Sequence, residues 1–223
     1  MRSLGDQASI AVIVDVLSFS TCVSIAIDRD PEIFPFWFKD ESAVLFAEGI
    51  GARLAGPRSK EDGLSLSPMS MRSLGEGDKV VLPSPNGATL SLETQAERVV
   101  AGCLRNHTAV SAFARGSSNV IVLAAGERWP NGNLRFAVED FLGAGAILSG
   151  LKGRFSPEAE LAAEAFNQSR GNLAERIRAS VSGRELIEWG FPSDVDLACE
   201  ESVSEAIPIL RDGRYQRFET APK

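Results

Sequence analysis

Three short stretches of the chain put acids, hydroxyls or turn-forming residues directly behind an apolar run. In the first, Asp15 follows Ile10–Val14, and Ser18, Ser20 and Thr21 come next. A carboxylate in that position is costly unless it is paired, bound to metal or used as a helix cap. A catalytic or metal-binding role and an N-cap role therefore both stand for Asp15. The hydroxyls lie where a helix would start, among amides that can hold an anion. In the second stretch, Ser84-Pro85-Asn86-Gly87-Ala88 has the composition of a turn, and such a turn can also expose successive amides as an anion-binding nest. The third gathers Glu127, Arg128, Arg135, Glu139 and Asp140 within fourteen positions. Arg135 and Glu139, four apart, could form a surface pair on one helix face. Glu139 and Asp140 point about 100° apart on a helix, so one ion would take one of them rather than both. Phe136, Val138, Phe141 and Leu142 surround them and turn at least one acid inward. Asp15 with one or two of these acids would make a hard oxygen site for Mg²⁺, completed by water and a substrate phosphate.

Other chemistries lack their residues. Histidine occurs once, at His107, which excludes multi-histidine metal centres; beside Asn106 and Thr108 it reads as a structural or surface residue. No Gly-x-Ser-x-Gly, P-loop or Gly-x-Gly-x-x-Gly sequence is present. The formal net charge of −7 argues against a nucleic-acid partner, so an anionic substrate has to be held by a local positive site. Cys22, Cys103 and Cys199 are isolated and lie in apolar stretches, which suggests neither a zinc site nor a disulfide framework and fits the reduced thiols of a cytoplasmic protein. The apolar run from Ala8 to Ile27 is broken by Asp15, Ser18, Ser20, Thr21 and Ser24, so it reads as a strand running into a helix rather than a signal peptide or membrane span.

Each elbow sits between a strand and a helix. Ile10–Val14 leads into a helix carrying Cys22, Val23 and Ile27, and Lys79–Leu82 into a helix from about Thr89 to Glu97. Val120–Ala124 leads through the long elbow 126–135 into a helix containing Phe141 and Ile147, and a shorter piece joins Val99–Ala101 to a helix over 106–115. This alternation predicts an α/β protein, a three-layer α/β/α sandwich with a mostly parallel or mixed sheet. In open sheets of that kind, ligands gather at the carboxyl ends of strands. Residues 49–74, rich in Gly, Pro and Ser, read as an excursion from the core. Ser156-Pro157-Glu158 opens a helix, Ser182 caps another that ends near Gly190, and Ile207–Leu210 with Tyr215–Phe218 form a hairpin around Asp212-Gly213. No linker divides the chain, so residues 1–223 are expected to form one domain. Trp37 with Phe34, Phe36 and Phe38 could face a second copy in a homodimer, or fill core or sheet-edge positions.

With the elbows marked, the chain resembles the 2-phosphosulfolactate phosphatases of coenzyme M biosynthesis. The matching pieces are Val-Asp-Val-Leu at 14–17, Ser67-Pro68, Asn86-Gly87, Asn106 with Ala109-Val110, and Ala125-Gly126. They continue with Arg135-Phe136, Glu139-Asp140 and Gly-Ala-Gly-Ala at 143–146, and a weaker match runs from Ser182-Gly183-Arg184 to Ile207-Pro208. The resemblance implies a three-layer α/β/α, Mg²⁺-dependent enzyme that hydrolyses a small phosphorylated hydroxy acid to 3-sulfolactate and phosphate. Elbows and resemblance together make Asp15, Glu139 and Asp140 the candidate catalytic residues and Asp15, Glu127 and Glu139 the candidate metal ligands. Ser18, Ser20, Thr21, Arg58, Ser84, Asn86, Gly87, Asn106, Arg128 and Arg135 are the candidate substrate contacts. A carboxylate would orient the attacking water or attack directly to form an aspartyl-phosphate. The chain departs from the family pattern where Ser18 replaces an arginine, where Ser65 and Leu66 replace Gly-Asn, where Ser84 and Pro85 replace threonines, and where residues 129–134 are added. Arg58 or Arg128 could supply the missing guanidinium from another loop. A non-catalytic binder of small anions and a phosphatase for a different monoester are the competing readings.

Overall fold

Ile10–Val14 holds five apolar residues in a row, the pattern of a strand covered on both faces, and it forms the fully buried strand β1. A computed structural model describes residues 8–38, 40–58 and 63–219. After β1 come α1 (Phe19–Ile27), β2 (Glu32–Phe36), α2 (Glu41–Ile50), β3 (Arg53–Leu54), α3 (Pro68–Met71), β4 (Lys79–Pro83), α4 (Gly87–Glu93) and β5 (Val99–Ala101). A 3-10 turn over Leu104–Asn106 leads into α5 (His107–Ala114), then β6 (Val120–Ala124), a small ribbon of β7 (Glu127–Arg128) and β8 (Leu134–Arg135), and α6 (Val138–Ser149). Four helices follow, α7 (Pro157–Ser169), α8 (Leu173–Ala179), α9 (Val181–Glu188) and α10 (Pro192–Ala198), before the closing hairpin of β9 (Pro208–Arg211) and β10 (Arg214–Arg217).

The main sheet has the order β3-β4-β2-β10-β9-β5-β1-β6. β1 lies parallel between β5 and β6, while β2, β3 and β4 form a second parallel block. The C-terminal hairpin fills the space between the blocks, antiparallel to β2 on one side and to β5 on the other. The sheet is therefore mixed, and its two blocks run in opposite senses. Asp212 and Gly213 turn the hairpin with φ of 50° and 76°, the left-handed pair that a two-residue hairpin needs. Ile10, Val12 and Val14 pack with residues of α5 to α9 in one core, and Ile33, Val80, Leu82, Ala101 and Tyr215 pack with α1 and α3 in the other. Helices thus cover both faces, and the expected three-layer sandwich is what the chain forms.

Several local expectations are corrected. The stretch 49–74 is no excursion, since Ala55, Leu64, Met71 and Leu74 are buried in the second core. Ser180, not Ser182, caps α9 by accepting the Gly183 N–H at 3.1 Å, and Ser182 lies one residue inside the helix. α4 starts at Gly87, two residues earlier than predicted, and stops at Glu93. Ser156 caps α7 as read, accepting the Ala159 N–H. Phe34 and Phe36 pack against Phe46 of α2, whereas Trp37 is 40% and Phe38 60% exposed. Among the described residues no helix is long and apolar enough to cross a membrane.

Candidate active site

Asp15 leaves the end of β1 into an elbow whose Leu17–Ser18 peptide is cis. One carboxylate oxygen, Oδ1, accepts the Phe19 N–H at 3.1 Å at the start of α1. The other, Oδ2, accepts the Gly87 N–H at 2.9 Å at the start of α4 and the Ser84 hydroxyl at 3.5 Å. A single carboxylate thus satisfies orphan donors at two helix starts, a favourable place for negative charge. The approach is close because residue 87 has no side chain. A Cβ there would lie 2.7 Å from Phe19 Cγ and 2.8 Å from Asp15 Oδ2. β4 runs against β1, so its elbow does not share an edge with Asp15 by strand direction alone. The Gly87 N–H bond to Asp15 nevertheless joins the two elbows.

Asp140 joins the first elbow to the third. Its Oδ1 accepts the Val16 N–H at 2.7 Å and its Oδ2 the Gly126 N–H at 2.9 Å, so both oxygens are committed to backbone. Glu139, equally buried beside it in the first turn of α6, has an Oε2 with no hydrogen-bond partner among the described residues. Asn86 ties the second elbow to the third by donating its Nδ2–H to Glu127 Oε1 at 3.0 Å. Burial and the charge of Glu127 push the Asp15 carboxyl up from 3.8 to about 6, against the Phe19 and Gly87 N–H bonds that lower it. Burial, with Asp15 and Glu139 as neighbours, holds Asp140 well above the usual carboxylate range, and burial raises Glu127 as well. The electrostatics describe a set of acids short of positive charge. No three His, Cys, Asp or Glu side chains among the described residues are gathered tightly enough to enclose a metal by themselves.

Other candidates serve the scaffold. Ser20 donates its hydroxyl to the Ile13 carbonyl at 2.8 Å and Thr21 to the Val16 carbonyl at 2.7 Å, so both brace the elbow instead of facing an anion. The expected nest at 84–88 closes on itself, because the Asn86 and Gly87 N–H groups point at Ser84 Oγ and Asp15. Asn106 is fully buried, accepting the Cys103 N–H at 2.9 Å and donating to the Ala101 and Ala206 carbonyls, which pins β5 to the approach to the hairpin. Arg128 reaches the Gly132 carbonyl in the ribbon turn. Arg135 forms no pair with Glu139; it lies on β8 and grips Glu185 of α9 through both Nη1 and Nη2, at 3.2 and 2.9 Å. His107 packs edge-on to Phe166 and bonds Ser202. Arg58 does come to the first elbow, donating from Nη2 to Ser18 Oγ at 2.8 Å and to the Leu66 carbonyl.

A family model described as 2-phosphosulpholactate phosphatase matches residues 2–213. The chain belongs to that family. It is 32% identical over 218 residues to a 2-phosphosulfolactate phosphatase of Methanothermobacter thermautotrophicus, covering 96% of this chain and 92% of that one. It is 31% identical over 225 residues to a Carboxydothermus hydrogenoformans protein named a probable 2-phosphosulfolactate phosphatase, covering 96% and 91%. In this member of the 2-phosphosulpholactate phosphatase family the Arg58 guanidinium stands against the Ser18 hydroxyl. Two residues at the site were not foreseen, Asp194 and Glu185. Both are acids on C-terminal helices, far in sequence from the arginines they hold, and neither has a local motif. Only an arginine facing apolar surroundings, which must find a carboxylate somewhere, hinted that such partners exist.

Proposed function

We propose that the chain is a phosphatase for a small, multiply charged phosphate ester of the 2-phosphosulfolactate class, giving 3-sulfolactate and inorganic phosphate, and that it works with Mg²⁺. The observation that carries this reading is the pair of buried carboxylates Asp15 and Glu139 with the half-buried Glu127 beside them, a raised Asp15 and a Glu139 oxygen unpartnered among the described residues. An acid oxygen that is buried and unpaired fits a cation, and Mg²⁺ takes only one or two carboxylates beside water and substrate oxygens, which suits a group of acids that forms no closed cage. Asp15 with Glu139 or Glu127 would hold the ion, and when bound it would supply charge neutralisation for the phosphoryl oxygens. Asp140 keeps the first and third elbows in register through its two amide contacts. Asp15, held by two helix starts, would orient water or attack phosphorus. With its carboxyl near 6 it suits proton transfer close to neutral pH. Arg58 offers a guanidinium at the first elbow for the anionic substrate.

The test is phosphate release from a panel of phosphorylated C3 and C4 hydroxy acids, with and without Mg²⁺. Turnover of 2-phosphosulfolactate that vanishes with a chelator and in Asp15→Asn is the expected result. Turnover of another monoester in its place would retain the phosphatase and change the substrate, as the serine at position 18 favours. Tight ligand binding with no turnover across the panel would replace this reading with an anion-binding protein.

A further inference from the structure

Asp194, in the first turn of α10, is 1% exposed and lies in none of the three elbows. A carboxylate that deep requires donors, and it has them from one segment of chain. Ser67 donates its hydroxyl to Oδ1 at 2.7 Å and the Met69 N–H donates to the same oxygen at 3.2 Å, while Arg58 Nε stands 3.2 Å from Oδ2 as an ion pair without hydrogen-bond geometry. Arg58 is fixed on its other sides too. Its guanidinium lies over the Phe191 ring at 5.5 Å, and Nη2 spends its hydrogens on Ser18 Oγ and the Leu66 carbonyl. Nη1 takes no partner among the described residues, and the side chain keeps 18% of its surface exposed. A guanidinium held on three sides, with one NH₂ that has no partner among the described residues, is preorganised for an anion, because the side-chain entropy that a loose arginine would lose on binding is already spent. Ser18, which receives it, is three residues from Asp15.

We propose that Asp194 is a positioning residue: it sets Arg58 so that the free Nη1 edge binds the second anionic group of the substrate, a carboxylate or sulfonate on the carbon skeleton, while the carboxylate group around Asp15 handles the phosphate. The assignment rests on the phosphatase reading above. Asp194 partly balances the guanidinium, which suits a singly charged group better than a phosphoryl dianion. It also makes α10 part of the specificity apparatus: the helix contributes no atom to the reaction, yet it decides where the discriminating charge stands.

Steady-state kinetics on Arg58→Ala, Asp194→Asn and the double variant test this, with 2-phosphosulfolactate and with glycerol 2-phosphate, which has no second anionic group. Each single variant is expected to raise KM for the acid substrate about tenfold to a hundredfold, the loss of one charge-assisted contact. In the Arg58→Ala background, Asp194→Asn is expected to add less than threefold, and Asp194→Glu to restore part of the KM in the wild-type background. For glycerol 2-phosphate neither variant should raise KM more than threefold. Multiplying effects in the double variant, or equal losses on both substrates, would make Asp194 a purely structural residue and overturn the assignment. Should Asp194→Asn not fold, the substrate comparison on Arg58→Ala alone decides, since equal losses there remove the clamp. A wild-type protein that hydrolyses neither substrate refutes the phosphatase reading itself, an outcome separate from an active enzyme whose variants are indifferent to the second charge.

Discussion

Replacing Asp15 by Asn removes a titrating group while keeping its shape, and the structure says how stability should respond. The folded carboxyl sits at about 6 against 3.8, so the folded chain holds this proton more tightly than the unfolded one. Stability from this group is therefore greatest below 3.8 and is lost as pH rises through about 6. The full difference is about 3 kcal/mol at 1.36 kcal/mol per pH unit, of which about 2 kcal/mol falls between pH 4.5 and 8. The amide of Asn keeps the bond from Phe19 but turns an NH₂ toward the Gly87 N–H, or the reverse, and that loss of about 1.5–3 kcal/mol is nearly independent of pH. Urea unfolding of wild type and Asp15→Asn without divalent cation, at pH 4.5 and pH 8, reads the titration of Asp15 together with that of Asp140, whose carboxyl the Asp15 charge raises. The variant should gain about 2 kcal/mol on wild type between the two pH values, whatever its absolute stability. A difference that stays constant, or that moves against the variant at high pH, would refute the claim that Asp15 is ionised at a cost to the fold.

Three further outcomes follow from the same geometry. Gly87→Ala should push the Asp15 carboxylate off both helix starts, because the Phe19 ring is buried against Tyr215 and cannot retreat; phosphate release should fall at least a hundredfold and the melting temperature by several degrees, at about 1–3 kcal/mol for overpacking. Glu139→Gln should remove the unpaired charge, so the thermal stabilisation by Mg²⁺ expected of wild type should shrink while stability without metal stays equal or rises. Tyr215→Phe deletes the bond between its hydroxyl and Ser91 Oγ but leaves Ser91 bound to the Gly87 carbonyl, so calorimetry should show a loss of about 1 kcal/mol, or roughly 2–4 °C.

The strand-and-elbow grammar was legible because its signals are local. Ile10–Val14, Val120–Ala124 and the Asp212-Gly213 hairpin each carry their own pattern, and Asp15 announces itself as an acid behind an apolar run. What a hydroxyl does with its proton is not local. Ser20 and Thr21 have the composition of an anion site, yet the nearest acceptors are carbonyls of the strand end before them. Arg135 and Glu139 have helical spacing, but α6 starts only at Val138, so the arginine turns to α9. Asp194 was invisible because its partners, Arg58, Ser67 and Met69, lie more than a hundred residues away and come from a stretch whose Gly, Pro and Ser content concealed its buried residues.

The hairpin at the centre of the sheet bears on how the protein is made. Both parallel blocks leave the ribosome before the two strands that join them, and Tyr215, buried against Phe19 and bonded to Ser91, follows both blocks in the chain. Until then β2 and β5 each present an unpaired edge, the condition under which nascent chains pair wrongly. Closure of the sheet waits on pairing of β10 with β2 and of β9 with β5, contacts between strands more than a hundred residues apart, which predicts slow folding. A nascent chain cut off before residue 208 would hold every acid of the cluster around Asp15 and lack the strands that unite its two halves.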